Sequence, residues 1–179
     1  SMINRKIIFV IGQFPPPLNG LSHITSCVTK RLAEANDVIR FDTSARLGAV
    51  GVKKLLSRIV ATAQACGGLL AKTGGLGAAC YIACEGGLGL VYTLMLTVTA
   101  RLCGYDILLH HHSFAYIDRP NFLMRSIVTV GGAMTHVFLC ANMRARFESA
   151  YGQVMRPTIL SNAAFVPVHD EKPEKEKDS

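Results

Sequence analysis

The chain has 179 residues, half of them hydrophobic, with 19 Lys and Arg against 12 Asp and Glu; this suits one well-buried domain and excludes two large ones or extended disorder. Residues 169–179 hold five of the acids and three of the bases, which leaves 16 bases and 7 acids elsewhere, a balance of +9 rather than the overall +7. Such a surface attracts anions: phosphates, nucleic acid or acidic lipid headgroups.

Lys6 to Ile11 is a continuous apolar run ended by Gly12, the pattern of a strand buried on both faces. A Pro- and Gly-rich loop follows, and then Ser22 is placed to cap a helix carrying Ile24, Cys27, Val28, Leu32 and Ala35 at helical spacing. Asn36-Asp37 turns the chain into a second strand, Val38 to Asp42. From Val52 to about Leu70, Val52, Leu55, Leu56, Ile59, Val60 and Ala63 trace one helical face, and Lys53, Lys54, Ser57 and Arg58 take the other. A Gly-rich turn near Gly74 to Gly77 leads to an apolar strand, Cys80 to Cys84, and a helix from about Gly89 to Leu102 stopped by Gly104. A strand then begins at Asp106 and runs to His110, followed by a helix around Asn121 to Ala133 and a strand from His136 to Cys140. A helix from Asn142 to Tyr151 and a strand near Thr158 to Leu160 complete the series.

Apolar strands alternating with helices indicate right-handed βαβ units, and so an α/β class: a Rossmann-like, doubly wound parallel sheet in three α/β/α layers over residues 3–166. Residues 167–179 are charged, carry Pro173 and lack apolar periodicity, so they read as a disordered tail or linker. The longest uncharged stretch, Ser126 to Met143, contains glycines, Asn142 and His136 and does not read as a membrane span. Arg5 and Lys6 precede too short an apolar run for a signal peptide, and the expected compartment is the cytoplasm. Six cysteines without a CxxC pair, mostly in apolar runs, are expected to be reduced and buried.

Ligands of an open parallel sheet bind at the carboxyl ends of the strands. In the first such loop, Gln13 to Leu21, three consecutive prolines fix the shape. Gly20 there lets a phosphate approach the free N–H groups of a helix start. Gly86-Gly87-Leu88-Gly89 matches part of a dinucleotide fingerprint, but Tyr92 stands where the third glycine belongs and a helix-packing turn accounts for it better. His110-His111-His112-Ser113 is the most unusual tetrapeptide: neighbouring strand residues face opposite ways, so the three histidines cannot all be core, and His112 is the one placed to reach the cleft. The helix bearing Lys53, Lys54 and Arg58 has either a solvated basic face or one resting on acidic lipid. No aromatic-rich motif interleaves with the bases, which argues against nucleic acid as a partner.

Taken together, Gln13 to Ser22, Leu109 to Ser113, Cys140-Ala141-Asn142 with the helix ending at Tyr151-Gly152, and Leu160 to Ala163 resemble the N-terminal domain of retaining GT-B glycosyltransferases of family 4. The resemblance implies two Rossmann-like domains facing across a cleft, of which this one is the acceptor side. The donor-binding C-terminal domain lies outside these residues, in the same gene or a partner chain, and this domain alone is expected to be inactive. It implies that Asn19 and Gly20 approach the donor diphosphate and that His112 contacts the transferred sugar. Phe14, Ser22, His111, Ser113, Asn142 and Asn162 are implied to line the cleft, with Lys53, Lys54 and Arg58 facing an acidic membrane. The implied reaction transfers a sugar from a nucleotide-sugar donor to a glycan or lipid-linked acceptor with retention, with no metal and no other cofactor. Asn19-Gly20 departs from the Gly-Gly of many relatives, and Ala163 replaces the usual glycine after Asn162. The alternative is a non-catalytic Rossmann-like module that binds an anionic membrane, a partner subunit or a nucleotide.

Overall fold

A computed structural model of the chain describes residues 5–72 and 77–165. The tail expected at 167–179 lies outside the described residues, as does most of the expected glycine turn. The elements are β1 (Ile7–Gly12), α1 (Gly20–Ala35), β2 (Asp37–Asp42), α2 (Gly51–Ala71), β3 (Ala79–Cys84), α3 (Gly89–Leu102) and β4 (Asp106–His111). They continue with a single turn α4 (Ala115–Asp118), α5 (Phe122–Gly131), β5 (Thr135–Phe138), α6 (Ala141–Tyr151), β6 (Arg156–Ile159) and a 3-10 turn, Asn162–Phe165. Six parallel strands form one sheet in the order β2-β1-β3-β4-β5-β6, the α/β Rossmann-like fold that the alternation predicts.

Strand alternation divides the core between the two faces of the sheet. Phe9 and Ile11 of β1 join the larger cluster, which takes Ala65 and Leu69 from α2, Leu96 from α3, Ile127 from α5 and Phe147 from α6. Ile8 and Val10 join the other cluster, with Phe14, Phe165 and Ile24 and Val28 of α1. Right-handed crossovers require this split, because only the β1-to-β2 connection runs leftward across the sheet. The reversal leaves a crevice at the carboxyl ends of β1 and β3.

Three local expectations are corrected. Asn19, with extended backbone, is the N-cap of α1, and Ser22 sits three residues inside it. The two exchange bonds: the Ser22 N–H donates to Asn19 Oδ1 at 2.9 Å and the Asn19 N–H to Ser22 Oγ at 2.9 Å, a capping box that satisfies two helix-end donors. The Ser22 hydroxyl also donates to the Pro17 carbonyl at 2.9 Å, fastening the proline loop to the helix. Likewise α6 starts one residue before Asn142, with the Cys140 sulfur accepting the Met143 N–H at 3.4 Å.

The third correction concerns α2. Its apolar stripe faces out: Val52, Leu55, Leu56, Ile59 and Val60 are all exposed, while Thr62, Ala65 and Leu69 are buried. Small inner residues let the helix lie close on the sheet. A Cβ at Gly68 would stand 2.1 Å from the Phe41 ring.

The six cysteines are free; Cys80 and Cys84 are buried, Cys27, Cys66 and Cys103 half-buried, and Cys140 exposed. Burial pushes the Cys84 thiol up to about 12 and the Cys80 thiol upward as well, so neither is a ready nucleophile. Among the described residues no helix is long and apolar enough to cross a membrane.

Candidate functional site

Gln13 leaves β1 and Glu85 leaves β3 on the two sides of the crevice, and Gln13 Nε2 donates to Glu85 Oε1 at 2.7 Å. Arg58 of α2 reaches the same carboxylate with both terminal nitrogens, each at 3.2 Å, and its Nε donates to the Thr43 carbonyl at 3.1 Å. Its guanidinium also lies 4.6 Å from the centre of the Tyr92 ring. With side chains only 15% and 18% exposed, Arg58 and Glu85 are part of the cleft floor. Arg58 therefore does not face a membrane, and the helix residue read as an outward base is an inward one. A cavity of about 410 Å³ opens above the pair, lined among others by Asn19, Arg46 and Lys54.

A second cavity, also of about 410 Å³, lies on the α1 side and joins Gly20, His23, His112, Asn162 and Phe165. Three predicted residues, Gly20, His112 and Asn162, thus meet although they come from separate strand ends. The first turn of α1 contains no acid, and of its first three N–H groups Asn19 takes only that of Ser22, so those of Gly20 and Leu21 remain for an anion. A Cβ at Gly20 would meet nothing within 4 Å; the glycine leaves open space rather than relieving a clash.

His112 Nε2 is buried and has no hydrogen-bond partner among the described residues. Burial lowers its pKa to about 4, so the imidazole is neutral at pH 7 and offers one donor and one acceptor. His110, two residues earlier on the same side, has its ring centre 4.0 Å from that of His112 with the planes tilted by 45°, and is bonded through Nδ1 to the Tyr81 hydroxyl at 2.5 Å. Burial, and then the neighbouring His112, lower the His110 pKa to about 3.

His111 is corrected: it points to the opposite face, fully buried, bonded to the Tyr116 hydroxyl at 2.7 Å and to His136 at 2.9 Å. Strand alternation separates it from His112. Phe14 is corrected too, since its ring is buried in the α1-side core under the Arg40 guanidinium and lines neither cavity. Ser22 is corrected as well: it is buried in the first turn of α1, bonded to the cap residue Asn19, and lines neither cavity. Ser113 accepts the Ala115 N–H at 3.1 Å and packs where a Cβ on Gly86 would come within 2.6 Å of its oxygen, so it shapes a turn. Asn142 is exposed on α6, away from the lining of either cavity. Lys53 and Lys54 are exposed, as expected.

No family model, curated protein or solved structure matches this chain. Among the described residues no three His, Cys, Asp or Glu side chains converge as a metal site. Sequence reasoning selected the loops but missed Gln13 and Glu85 as a bonded pair. The signal was present, since both directly follow strands at the reversal point of the sheet.

Proposed function

We propose that this chain is the acceptor-side half of a retaining glycosyltransferase, which moves a sugar from a nucleotide-sugar donor to a hydroxyl of a glycan or lipid-linked acceptor. The observation that carries the reading is the cavity in which His112 meets Gly20, at the start of α1, and Asn162; the Nε2 of His112 is buried beside it without a partner. Helix-end N–H groups at Gly20 and Leu21 suit the diphosphate oxygens, where negative charge grows as the sugar leaves. The neutral His112 bonds the sugar, and the Asn162 amide closes the cavity beside it. In the reaction the anomeric carbon loses its bond to the diphosphate oxygen and gains one to the acceptor oxygen on the same face; the acceptor proton leaves with the phosphate. The chain's contribution is positioning and charge stabilisation. The nucleotide calls for a second domain, in the same polypeptide or a partner chain. The resemblance of Gln13 to Ser22, Leu109 to Ser113 and Leu160 to Ala163 to family 4 supports the same reading.

The test combines this chain with that second domain and assays nucleoside-diphosphate sugars for transfer and donor hydrolysis. His112→Ala is expected to lower kcat by roughly a hundredfold or more. Absence of both activities with every donor, or an unimpaired His112→Ala variant, overturns the proposal.

A further inference from the structure

A line of polar groups runs through the apolar core on the α1 face of the sheet and ends at the cavity. Tyr81 of β3 stands opposite Leu108 of β4, and His110 stands opposite Ala83, so Tyr81 and His110 are diagonal neighbours on one face. Both are buried, at 3% and 0% exposure. His112 continues the line: its backbone N–H donates to the Cys84 carbonyl at 3.2 Å, which carries the strand pairing one residue past His111 and keeps His112 on the side of His110.

The hydrogen bonds along this line fix where the protons lie. Burial drives the Tyr81 phenol upward, so its hydroxyl keeps its hydrogen. Among the described residues that hydroxyl has one partner, His110 Nδ1 at 2.5 Å. A phenol has a single hydrogen to donate, and the neutral imidazole of His110 offers it a lone pair at Nδ1. The reverse bond, from Nδ1–H to the phenol oxygen, would leave the buried Tyr81 hydrogen with no acceptor, which folded chains avoid. His110 therefore carries its own hydrogen on Nε2, and that atom is buried with no partner.

The adjoining ring has a matching gap. His112 has its ring centre 4.0 Å from that of His110, and its Nε2 is likewise buried without a partner. Two buried N–H groups on touching rings repel one another, whereas an N–H beside a bare ring nitrogen is attracted to it. With His110 protonated at Nε2, the favoured state of His112 has its lone pair on Nε2 and its hydrogen on Nδ1. The Nδ1 of His112 is not enclosed in this way, and His112 lines the cavity with Gly20 and Asn162.

We propose that Tyr81 and His110 are positioning residues that set the tautomer of His112, so that it presents an Nδ1–H donor to the cavity. The series is directed: Tyr81 O–H to His110 Nδ1, then His110 Nε2–H toward His112 Nε2. The group that His112 serves is therefore an oxygen of the transferred sugar acting as hydrogen-bond acceptor. The inference rests on the glycosyl-transfer reading above and gives its sugar contact a direction.

The test reads the two imidazole tautomers in the chain at pH 7, from long-range proton–nitrogen correlation spectra of isotope-labelled protein. The expected forms are Nε2–H for His110 and Nδ1–H for His112. Tyr81→Phe removes only the hydroxyl and should move both rings to mixed tautomers. His110→Gln, whose amide keeps an N–H donor near the place of Nε2, should hold His112 in the Nδ1–H form, and His110→Leu should release it. In the enzyme reconstituted with its second domain, Tyr81→Phe should lower kcat roughly tenfold, as the loss of an outer partner of a site histidine does, with the acceptor KM within about twofold of the parent. An Nε2–H form of His112 in the parent chain overturns the proposal, as does a His112 tautomer that Tyr81→Phe and His110→Leu leave unchanged, or a Tyr81→Phe enzyme with the parent kcat. If far-UV circular dichroism shows that His110→Leu does not fold, the parent spectrum and Tyr81→Phe decide. The spectra require neither donor nor second domain, so a wrong tautomer and an absence of sugar transfer are separate results.

Discussion

Arg58 and Glu85, 27 residues apart in the chain, meet in a two-point ion pair on the floor of the cleft. Their partial burial places the pair between exposed ones, worth under about 1 kcal/mol, and buried ones, whose disruption costs about 3 to 5 kcal/mol. Arg58→Ala is expected to lower stability by about 2 kcal/mol in urea denaturation. Arg58→Lys should recover less than half of that, because it keeps the charge but loses the paired donors and the flat contact with Tyr92.

A second expectation concerns acid. Burial holds His112 and His136 near 4 and His110 near 3, and drives His111 well below its ordinary value of 6.5. These imidazoles stay neutral in the folded chain, while the unfolded chain binds protons once the pH drops below about 6.5. Protons bound by the unfolded state alone make stability fall as pH falls. The loss should start near pH 6.5 and run to about pH 4 for His112 and His136 and on to about pH 3 for His110, at up to about 1.4 kcal/mol per pH unit for each histidine. Denaturant midpoints measured across that window check the slope, and His110→Gln should make it shallower.

Gly20→Ala separates binding from folding. The position is the first residue of α1 with nothing within 4 Å of an added Cβ, so the thermal midpoint should hold or rise slightly. The methyl group would nevertheless occupy the approach to the helix-end N–H groups. In the reconstituted enzyme the donor KM is expected to rise roughly tenfold, a loss of about 1.4 kcal/mol of binding. A donor KM equal to that of the parent would remove the diphosphate from this helix end.

Gly68→Ala tests the close seat of α2. The new Cβ would press into the Phe41 ring, and overpacking of this kind costs about 1 to 3 kcal/mol. Phe41→Leu should relieve part of it, so in a double-mutant cycle the pair should lose less than the sum of the single changes.

Much of the fold is readable from the chain because the two central strands β1 and β3 are unbroken apolar runs, buried after their first residue. His112 is readable for a related reason, since alternation at the end of β4 puts it on the same side as His110, next to the α1 cavity. The direction of the α2 stripe is not readable. Periodicity defines a face but not where it points, and here the inner face is built from Thr62 and Ala65 and turned by the reach of Arg58 to Glu85. His111 is hidden for another reason: its burial is balanced by Tyr116 and by His136, which lies 25 residues further along. Nothing local in a His-rich tripeptide announces those partners.

The short turn Asn162–Phe165 sets a minimum length for any trimmed version of this domain. Phe165 covers the α1-side core and also walls the cavity that holds His112 and Gly20. A truncation before Asn162 would keep all six strands and helices intact, yet would uncover Val28 and remove one side of that cavity. Fragments designed by strand boundaries alone would therefore fold with a breached site, and a design that preserves it must extend through residue 165.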